Sequence, residues 1–379
     1  MSHVALLIPT LDRIGGAERQ VILLAGGLRR RGWRVSVVAL SGAGGDSAPA
    51  LTADGIDFLS LEMRKGLADP RGWIRWNRWV QREAPDAVHA HLPHAAWLAR
   101  WSRLAAPVRV MVDTLHNPRT GSPGRRLGYR WSGWLPDCVT AVSQPVADAY
   151  LFARIVPKDK LTVLPNGVDV ETWRPDTTAR TVLRRELGLH DEFLWFAAGR
   201  LEPVKDYPTL LRAMAETPEP ARLVIAGGGP LEGELRQLAA TLCLEHKVRF
   251  LGFETDVRRW MQAADGFVLS SRWEGLPMGL LEAAACGLPA VATDVPGSRE
   301  VVVDGQTGWL ATQGSVEALQ AAMAKMMRIT PQERKAMGER ARQLAIERFS
   351  LKAVLNRWEE LYGKLLHHNP RAMRWGKAN

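Results

Sequence analysis

The stretch that decides the fold runs Phe193-Leu194-Trp195-Phe196-Ala197-Ala198-Gly199-Arg200-Leu201-Glu202-Pro203-Val204-Lys205-Asp206-Tyr207. Its first six residues are apolar throughout, the length of a strand buried on both faces and too short for a helix. Gly199 ends the run, and a polar loop leads to helical sequence beginning near Asp206. A fully apolar strand followed by a helix is the repeating unit of a parallel sheet covered on both sides. The unit recurs in both directions. Strands are expected at residues 4–8, 35–40, 87–91, 108–112, 138–142 and 161–164, then at 222–226, 247–251, 266–270 and 289–293. Helical patterns separate most of them; in residues 17–31, Val21, Leu24, Ala25 and Leu28 share one face. The pattern breaks once, in a polar stretch around residues 174–180. The expected fold is α/β, with two doubly wound Rossmann-like domains at 1–174 and 175–349. A last helix at about 350–367 has no strand after it.

Composition agrees with this. A chain of 379 residues with 46% apolar and 24% charged residues is neither disordered, collagenous nor a coiled coil. Cys138, Cys243 and Cys286 are far apart and form no C-x-x-C, which excludes a disulfide framework and a cysteine zinc site and suits a reducing cytosol. The N-terminus has no cationic segment, its apolar run is short, and no apolar stretch reaches spanning length. The expectation is a cytoplasmic protein, at most peripheral on the inner face of the membrane. Residues 1–175 hold 23 Lys+Arg against 15 Asp+Glu, and residues 176–379 hold 27 against 25. A basic first half favours an anionic partner: a membrane face, a nucleic acid or a phosphorylated substrate. Simple solubility is the bland alternative.

In open α/β sheets ligands bind beyond the carboxyl ends of the strands, and two such domains facing each other enclose a cleft. The strongest post-strand signal is Glu274-Gly275-Leu276-Pro277-Met278-Gly279-Leu280-Leu281-Glu282. One carboxylate lies in a loop and the second inside the following helix. The glycines allow close backbone approach, and the helix N-terminus offers N–H groups to an anion. Such a site can hold sugar at one end, ribose at the other and diphosphate between. Two helix-end glutamates that improve dipole energetics are the plain alternative. In Gly199–Asp206, Arg200 supplies a planar fork and Lys205 a point charge, both suited to a diphosphate; solvated surface cations are the alternative. Gly15-Gly16-Ala17-Glu18 opens the first helix without the G-x-G-x-x-G of a nicotinamide site. Gly227-Gly228-Gly229 makes a strand-to-helix turn without a Walker lysine, either lining a nucleotide pocket or packing tightly.

His116 follows the strand expected at 108–112 and can contact a sugar hydroxyl or protonate a leaving group. His89, His91 and His94 invite a metal reading, but no further ligand is placed nearby. There is no D-x-D to hold a divalent cation, the nearest being Asp169-Val170-Glu171. The expectation is no metal and no cofactor. Two Trp/Arg-rich stretches, Arg71–Val80 and Arg125–Trp131, have the composition of interfacial anchors for an anionic membrane; a core-facing helix with a solvated basic side is the alternative.

Together these motifs resemble glycosyltransferase family 4, a retaining family of GT-B fold also described as glycosyl transferases group 1. Its E-x7-E matches Glu274 and Glu282, its G-R-L-x-x-x-K-[DG] matches Gly199–Asp206, its G-G-A-E matches Gly15–Glu18, and its N-G-V-D matches Asn166–Asp169. The resemblance implies that Glu274 binds donor-sugar hydroxyls, Glu282 the ribose, and Arg200 and Lys205 the departing diphosphate. Backbone N–H groups from Leu276, Pro277's successor Met278, Gly279 and Leu280 would meet phosphate and sugar. Gly16, beside Gly15, would approach the diphosphate, His116 the transferred sugar, and Phe250 and Leu251 the base. It also implies a last helix that crosses back to the first domain. The tail, residues 371–379, has no family counterpart.

The implied activity is retaining transfer of a hexose from a nucleotide diphosphate sugar, a UDP-sugar by family habit, to a saccharide or lipid-linked acceptor in cell-surface polysaccharide or lipopolysaccharide synthesis. Peripheral contact with an anionic membrane follows from the basic half. The alternatives are a nucleotide-sugar 2-epimerase or hydrolase on the same fold, a non-catalytic nucleotide-sugar binder and, remotely, a nucleic-acid-binding protein, for which the spacing of Glu274 and Glu282 has no use.

Overall fold

A computed structural model describes residues 1–64 and 69–368; the tail at 371–379 lies outside them. The chain divides into two compact units. In the first, the elements are β1 (His3–Ile8), α1 (Gly16–Arg30), β2 (Arg34–Ala39), α2 (Ser47–Ala53), β3 (Asp57–Ser60) and α3 (Pro70–Glu83). Then come β4 (Ala87–His91), α4 (Pro93–Ser102), β5 (Val110–Leu115), α5 (Pro123–Trp131), β6 (Cys138–Ala141), α6 (Gln144–Phe152) and β7 (Leu161–Val163). The second unit holds α7 (Thr177–Glu186), β8 (Phe193–Ala198), α8 (Tyr207–Ala215), β9 (Ala221–Ala226), α9 (Glu232–Thr241), β10 (Val248–Gly252) and α10 (Val257–Ala263). It continues with β11 (Gly266–Leu269), α11 (Met278–Ala285), β12 (Ala290–Thr293), α12 (Pro296–Arg299), β13 (Gly308–Ala311), α13 (Val316–Arg328) and α14 (Pro331–Phe349). The last helix, α15 (Leu351–His368), belongs to the first unit.

Each unit is built on one parallel sheet. The orders are β3-β2-β1-β4-β5-β6-β7 and β10-β9-β8-β11-β12-β13. Both reverse direction once, between β1 and β4 and between β8 and β11, and these reversals are where loops part to admit a ligand. The central strands are buried along their length because helices cover both faces. The edge strands β3 and β13, absent from the sequence reading, are four residues each, and β3 is only partly buried, so neither carries a long apolar run.

Several strand ends differ from the sequence reading by a residue or two, and two differences are larger. β5 runs Val110–Leu115 rather than 108–112, and His116 directly follows it. Asp113 and Thr114 look like a strand end, yet both are buried: Asp113 accepts from Arg100 at 2.6 Å and Thr114 Oγ1 lies 2.6 Å from His89 Nε2. The units part at Gly167/Val168, earlier than the break expected near residue 175. Val168 N–H donates to Phe349 O at 2.8 Å, and the Arg342 guanidinium of α14 holds Val170 O and Trp173 O at 3.1 and 3.0 Å, together with Ala285 O at the end of α11. These bonds fasten residues 168–173 to the second unit.

In α15, Leu351, Val354, Leu355, Trp358 and Tyr362 are buried at one-turn spacing in the core formed by β1, α1 and β5. Leu355 sits against Gly27 of α1, where a Cβ would come 2.5 Å from its Cδ1. Glu359 accepts from Trp33 Nε1 at 3.0 Å and from Arg31 at 2.5 Å. Gly27→Val should therefore destabilise the protein by about 1–3 kcal/mol through overpacking. Gly363→Ala, on the same helix with open space around it, should stabilise it by about 0.5–1 kcal/mol. Urea unfolding of the two variants checks the opposite signs.

Candidate functional site

At the β8/β11 reversal, two loops are bound to each other. Ser270 Oγ donates to Lys205 O at 2.7 Å, Arg272 N–H to Val204 O at 2.8 Å, and the Arg272 guanidinium lies 3.3 Å from Asp206. Asp206 itself takes the left-handed conformation, φ 48°, that turns the chain into α8. From β12, Thr293 Oγ1 donates to Ser271 O at 2.5 Å. Behind the loop stands Gly297 of α12, where a Cβ would lie 2.6 Å from Glu274 O. With the backbone fixed this way, Glu274 Oε1 accepts from Lys205 Nζ and from Ser271 Oγ, each at 2.6 Å. The ammonium and carboxylate side chains keep only 22% and 12% of their surface.

Glu274 also faces Tyr207, whose hydroxyl is driven far above its ordinary pKa by burial and then by this carboxylate. That hydroxyl donates to Gly199 O at 3.3 Å. Gly199 ends β8 and meets Gly227, whose φ of 133° and whose absent Cβ, 2.0 Å from Gly199 O, leave room for no other residue. Gly229 likewise packs on Leu201 O. The Gly227–Gly229 turn thus holds the loop after β8 in place. Arg200 is exposed, its guanidinium 3.1 Å from Glu202.

α11 begins after Pro277, which supplies no side-chain cap, and Leu280 N–H donates to Pro277 O at 3.1 Å. The side chains of Leu276, Met278 and Leu280 are buried, and Gly279 lies against Phe267 and Ala198 O. Glu282, on the second turn, is 3% exposed. Beside it the Cys286 thiol is pushed up to about 12 by burial and then by the Glu282 charge. In β10, Phe250 packs on the core under the Arg236 guanidinium and Leu251 sits at a register shift. The open aromatic at that strand end is Phe253, 78% exposed.

In the first unit Gly15 caps α1 and donates its N–H to Glu18 Oε2 at 3.0 Å, and Gly16 is the first helical residue. His116 lies half-buried, its Nε2 3.1 Å from His91 Nδ1. His89 and His91 lie on one side of β4, rings 4.0 Å apart. Both nitrogens of His89 are engaged, by Tyr362 OH and Thr114 Oγ1, each at 2.6 Å. His91 Nε2 has no partner among the described residues and borders a void of about 20 Å³ lined in part by Gln20, Thr114, His116 and Asn166, the size of one water. Among the described residues no group of three His, Cys, Asp or Glu side chains is arranged to hold a metal. Asp169 instead accepts from Glu171 N, Thr172 N and Thr172 Oγ1, closing a turn.

Sequence reasoning missed Ser271, Thr293 and Gly297, which aim Glu274, and Tyr362, which holds His89. The only sequence signals were Ser270-Ser271 after β11 and Pro296-Gly297 after β12.

Comparisons with known proteins bear on both units. Residues 14–172 match the family described as Glycosyltransferase Family 4 and residues 179–344 the one described as Glycosyl transferases group 1. The chain is 33% identical over 282 residues (70% of this chain, 73% of the relative) to a GDP-mannose-dependent α-(1-6)-phosphatidylinositol monomannoside mannosyltransferase of Mycolicibacterium smegmatis. It is 26% identical over 311 residues (78% and 80%) to a UDP-Gal:α-D-GlcNAc-diphosphoundecaprenol α-1,3-galactosyltransferase of Escherichia coli. The crystal structure of Anabaena HepE in complex with UDP and glucose superposes with a TM-score of 0.83 at 24% identity, over 95% of this chain and 99% of that one.

Burial lowers the histidines: His116 to about 4, and His89 and His91 well below the ordinary imidazole value, with charge from neighbouring histidines adding for those two. All three are neutral in the native state and protonate on unfolding near 6.5. Stability is then full above about pH 6.5 and falls as pH drops toward 4, by up to about 1.4 kcal/mol per pH unit for each of His89 and His91. Thermal unfolding at pH 7 and pH 5 measures this, and His89→Gln should flatten the difference.

Proposed function

This chain belongs to glycosyltransferase family 4 and is a glycosyltransferase of GT-B fold, and we propose that it moves a hexose from a UDP-sugar to a lipid-linked saccharide with retention of anomeric configuration. The observation that carries the reading is the Lys205–Glu274 pair, 2.6 Å apart on the loops before α8 and α11 at the sheet reversal. A carboxylate there accepts sugar hydroxyls; an ammonium and a helix N-terminus there receive a diphosphate. The UDP donor is supported by the ligand of the Anabaena structure and by the donor in the Escherichia coli relative's name. A lipid-linked acceptor is supported by that relative's diphosphoundecaprenol acceptor and by the phosphatidylinositol monomannoside in the name of the mycobacterial one. Products of this kind enter cell-surface polysaccharide or lipopolysaccharide, and such an acceptor would put the enzyme against an anionic bilayer at the cytoplasmic face.

In the proposed step the bond between sugar C1 and the β-phosphate oxygen breaks, and a bond from C1 to the acceptor oxygen forms on the same face. The acceptor proton passes to the departing phosphate oxygen, so no side-chain base is required. Arg200, Lys205 and the N–H groups of α11 stabilise the growing phosphate charge. Glu274 holds the sugar hydroxyls and is no nucleophile; Glu282 takes the ribose. Gly16 contacts the diphosphate and His116 the transferred sugar as a neutral hydrogen-bonding ring. Nothing in this step needs a metal or cofactor.

Calorimetry against a panel of nucleotide sugars, followed by incubation of the bound donor with membrane extract, tests the reading. A UDP-sugar should bind, and its hexose should appear in lipid with the donor's anomeric configuration by NMR. Release of free sugar without an acceptor would make the protein a hydrolase instead. Glu274→Ala and Lys205→Ala should each lower kcat about 100- to 1000-fold. Gly297→Ala, which touches no ligand, should cost about 100-fold in kcat by displacing Glu274 while the protein stays folded.

A further inference from the structure

Two side chains of α4 reach α5. From α4, Arg100 donates to Tyr129 O at 3.1 Å and to Ser132 Oγ at 2.9 Å, and the Trp97 ring lies against Gly128 of α5. Their outer faces carry large apolar side chains at matching intervals. On and just after α4 these are Trp97, Trp101 and Leu104, exposed by 37%, 41% and 59%. On and just after α5 they are Leu127, Trp131 and Trp134, exposed by 51%, 69% and 53%. Scattered single apolar side chains need no explanation, but two adjacent stripes with four tryptophans do. The charge around them is in basic excess. Between Pro93 and Trp134 stand Arg100, Arg103, Arg109, Arg119, Arg125, Arg126 and Arg130; Asp113 is buried against Arg100, and Arg103 and Arg109 pair with Asp137 and Asp86, each at 2.7 Å. Arg119, Arg125, Arg126 and Arg130 are exposed.

α3, the other Trp/Arg-rich stretch, turns its rings inward. Trp76 and Trp79 are buried and stacked at 5.4 Å, with Trp76 Nε1 bonded to Ser102 Oγ of α4 at 2.7 Å. Trp73 and Ile74 alone remain partly open there. The composition of the two stretches is alike; their placement separates them.

We propose that the α4–α5 face is a peripheral docking surface for an anionic lipid bilayer. Indole rings favour the headgroup level, where an apolar body meets a polar edge, and arginines beside them gain from anionic headgroups. Among the described residues no helix is long and apolar enough to cross a membrane, so the contact is one of surface insertion. Charge disfavours the same face of a second copy as the natural partner, since both would bring an excess of exposed arginine. This inference goes beyond the transfer reaction and holds equally if the acceptor is water-soluble.

Flotation of the full chain with vesicles of phosphatidylcholine, with and without phosphatidylglycerol, tests it. Wild type should favour the anionic vesicles by at least about tenfold, and salt should weaken binding. The W131S/W134S double variant should lose about tenfold or more. R125S/R126S should lose about fivefold per arginine and most of the salt dependence. Phe152→Ser, removing a 93%-exposed ring on α6, should change nothing. Each variant is compared at wild-type thermal stability and wild-type nucleotide-sugar affinity, so misfolding or a lost donor site is read separately. The inference is overturned if wild type does not float with anionic vesicles, or if both double variants float as wild type does. A concentration-dependent dimer, or salt-sensitive binding to duplex DNA, in place of vesicle binding overturns it as well.

Discussion

An ammonium 2.6 Å from a carboxylate is useful only if neither can swing away, and in the second unit the backbone supplies that constraint. Desolvating both charges costs several kcal/mol, repaid only when geometry and remaining hydrogen bonds are good. Ser271 fills one of those remaining positions on Glu274. Besides the Arg272–Asp206 pair, bonds from side chain to main chain or between main chains join the region: Ser270 to Lys205, Arg272 to Val204, Thr293 to Ser271. They fix loops, and the loops aim the charges. The result is a carboxylate–ammonium pair held in fixed geometry, and in the proposed transfer it need not reorganise as charge develops.

The first unit solves a different problem. Three histidines at the ends of β4 and β5 are kept neutral by burial, and each bond they make is to a neutral group. A neutral imidazole is at once donor and acceptor, so the chain Tyr362–His89–Thr114–Thr140 can pass one consistent direction of donation through the core. Tyr362 comes from α15, whose other anchors are Leu355 on Gly27 and Glu359 on Trp33. The C-terminal helix is thereby part of the shell around His116, although it is farthest from it in sequence.

Much of this is legible in the amino-acid sequence. The α/β class, the strands at residues 4–8, 87–91 and 193–198, and the family itself were carried by unbroken apolar runs and by glycine and charge at their ends. Such signals are local: burial on both faces leaves no polar residue in a strand, and a turn after it needs glycine. β3, β13 and the far end of β5 were not legible, because a short edge strand has little apolar signature and a buried Asp113 or Thr114 reads as a surface residue until its partner is seen.

The order of residues along the chain fixes which chemical groups follow which strands: Glu274 and Glu282 eight apart, Arg200 and Lys205 five apart, paired glycines before the first helix. Spacing along a chain is a covalent fact, and parallel sheets convert it into common placement at one sheet edge. Only the tertiary structure decided that Lys205 grips Glu274, that Gly297 stands behind it, and that of two similar Trp/Arg-rich helices α3 faces the core while α5 faces outward. Those outcomes depend on which distant residue fills the space beside each group, and nothing in local composition encodes that neighbour.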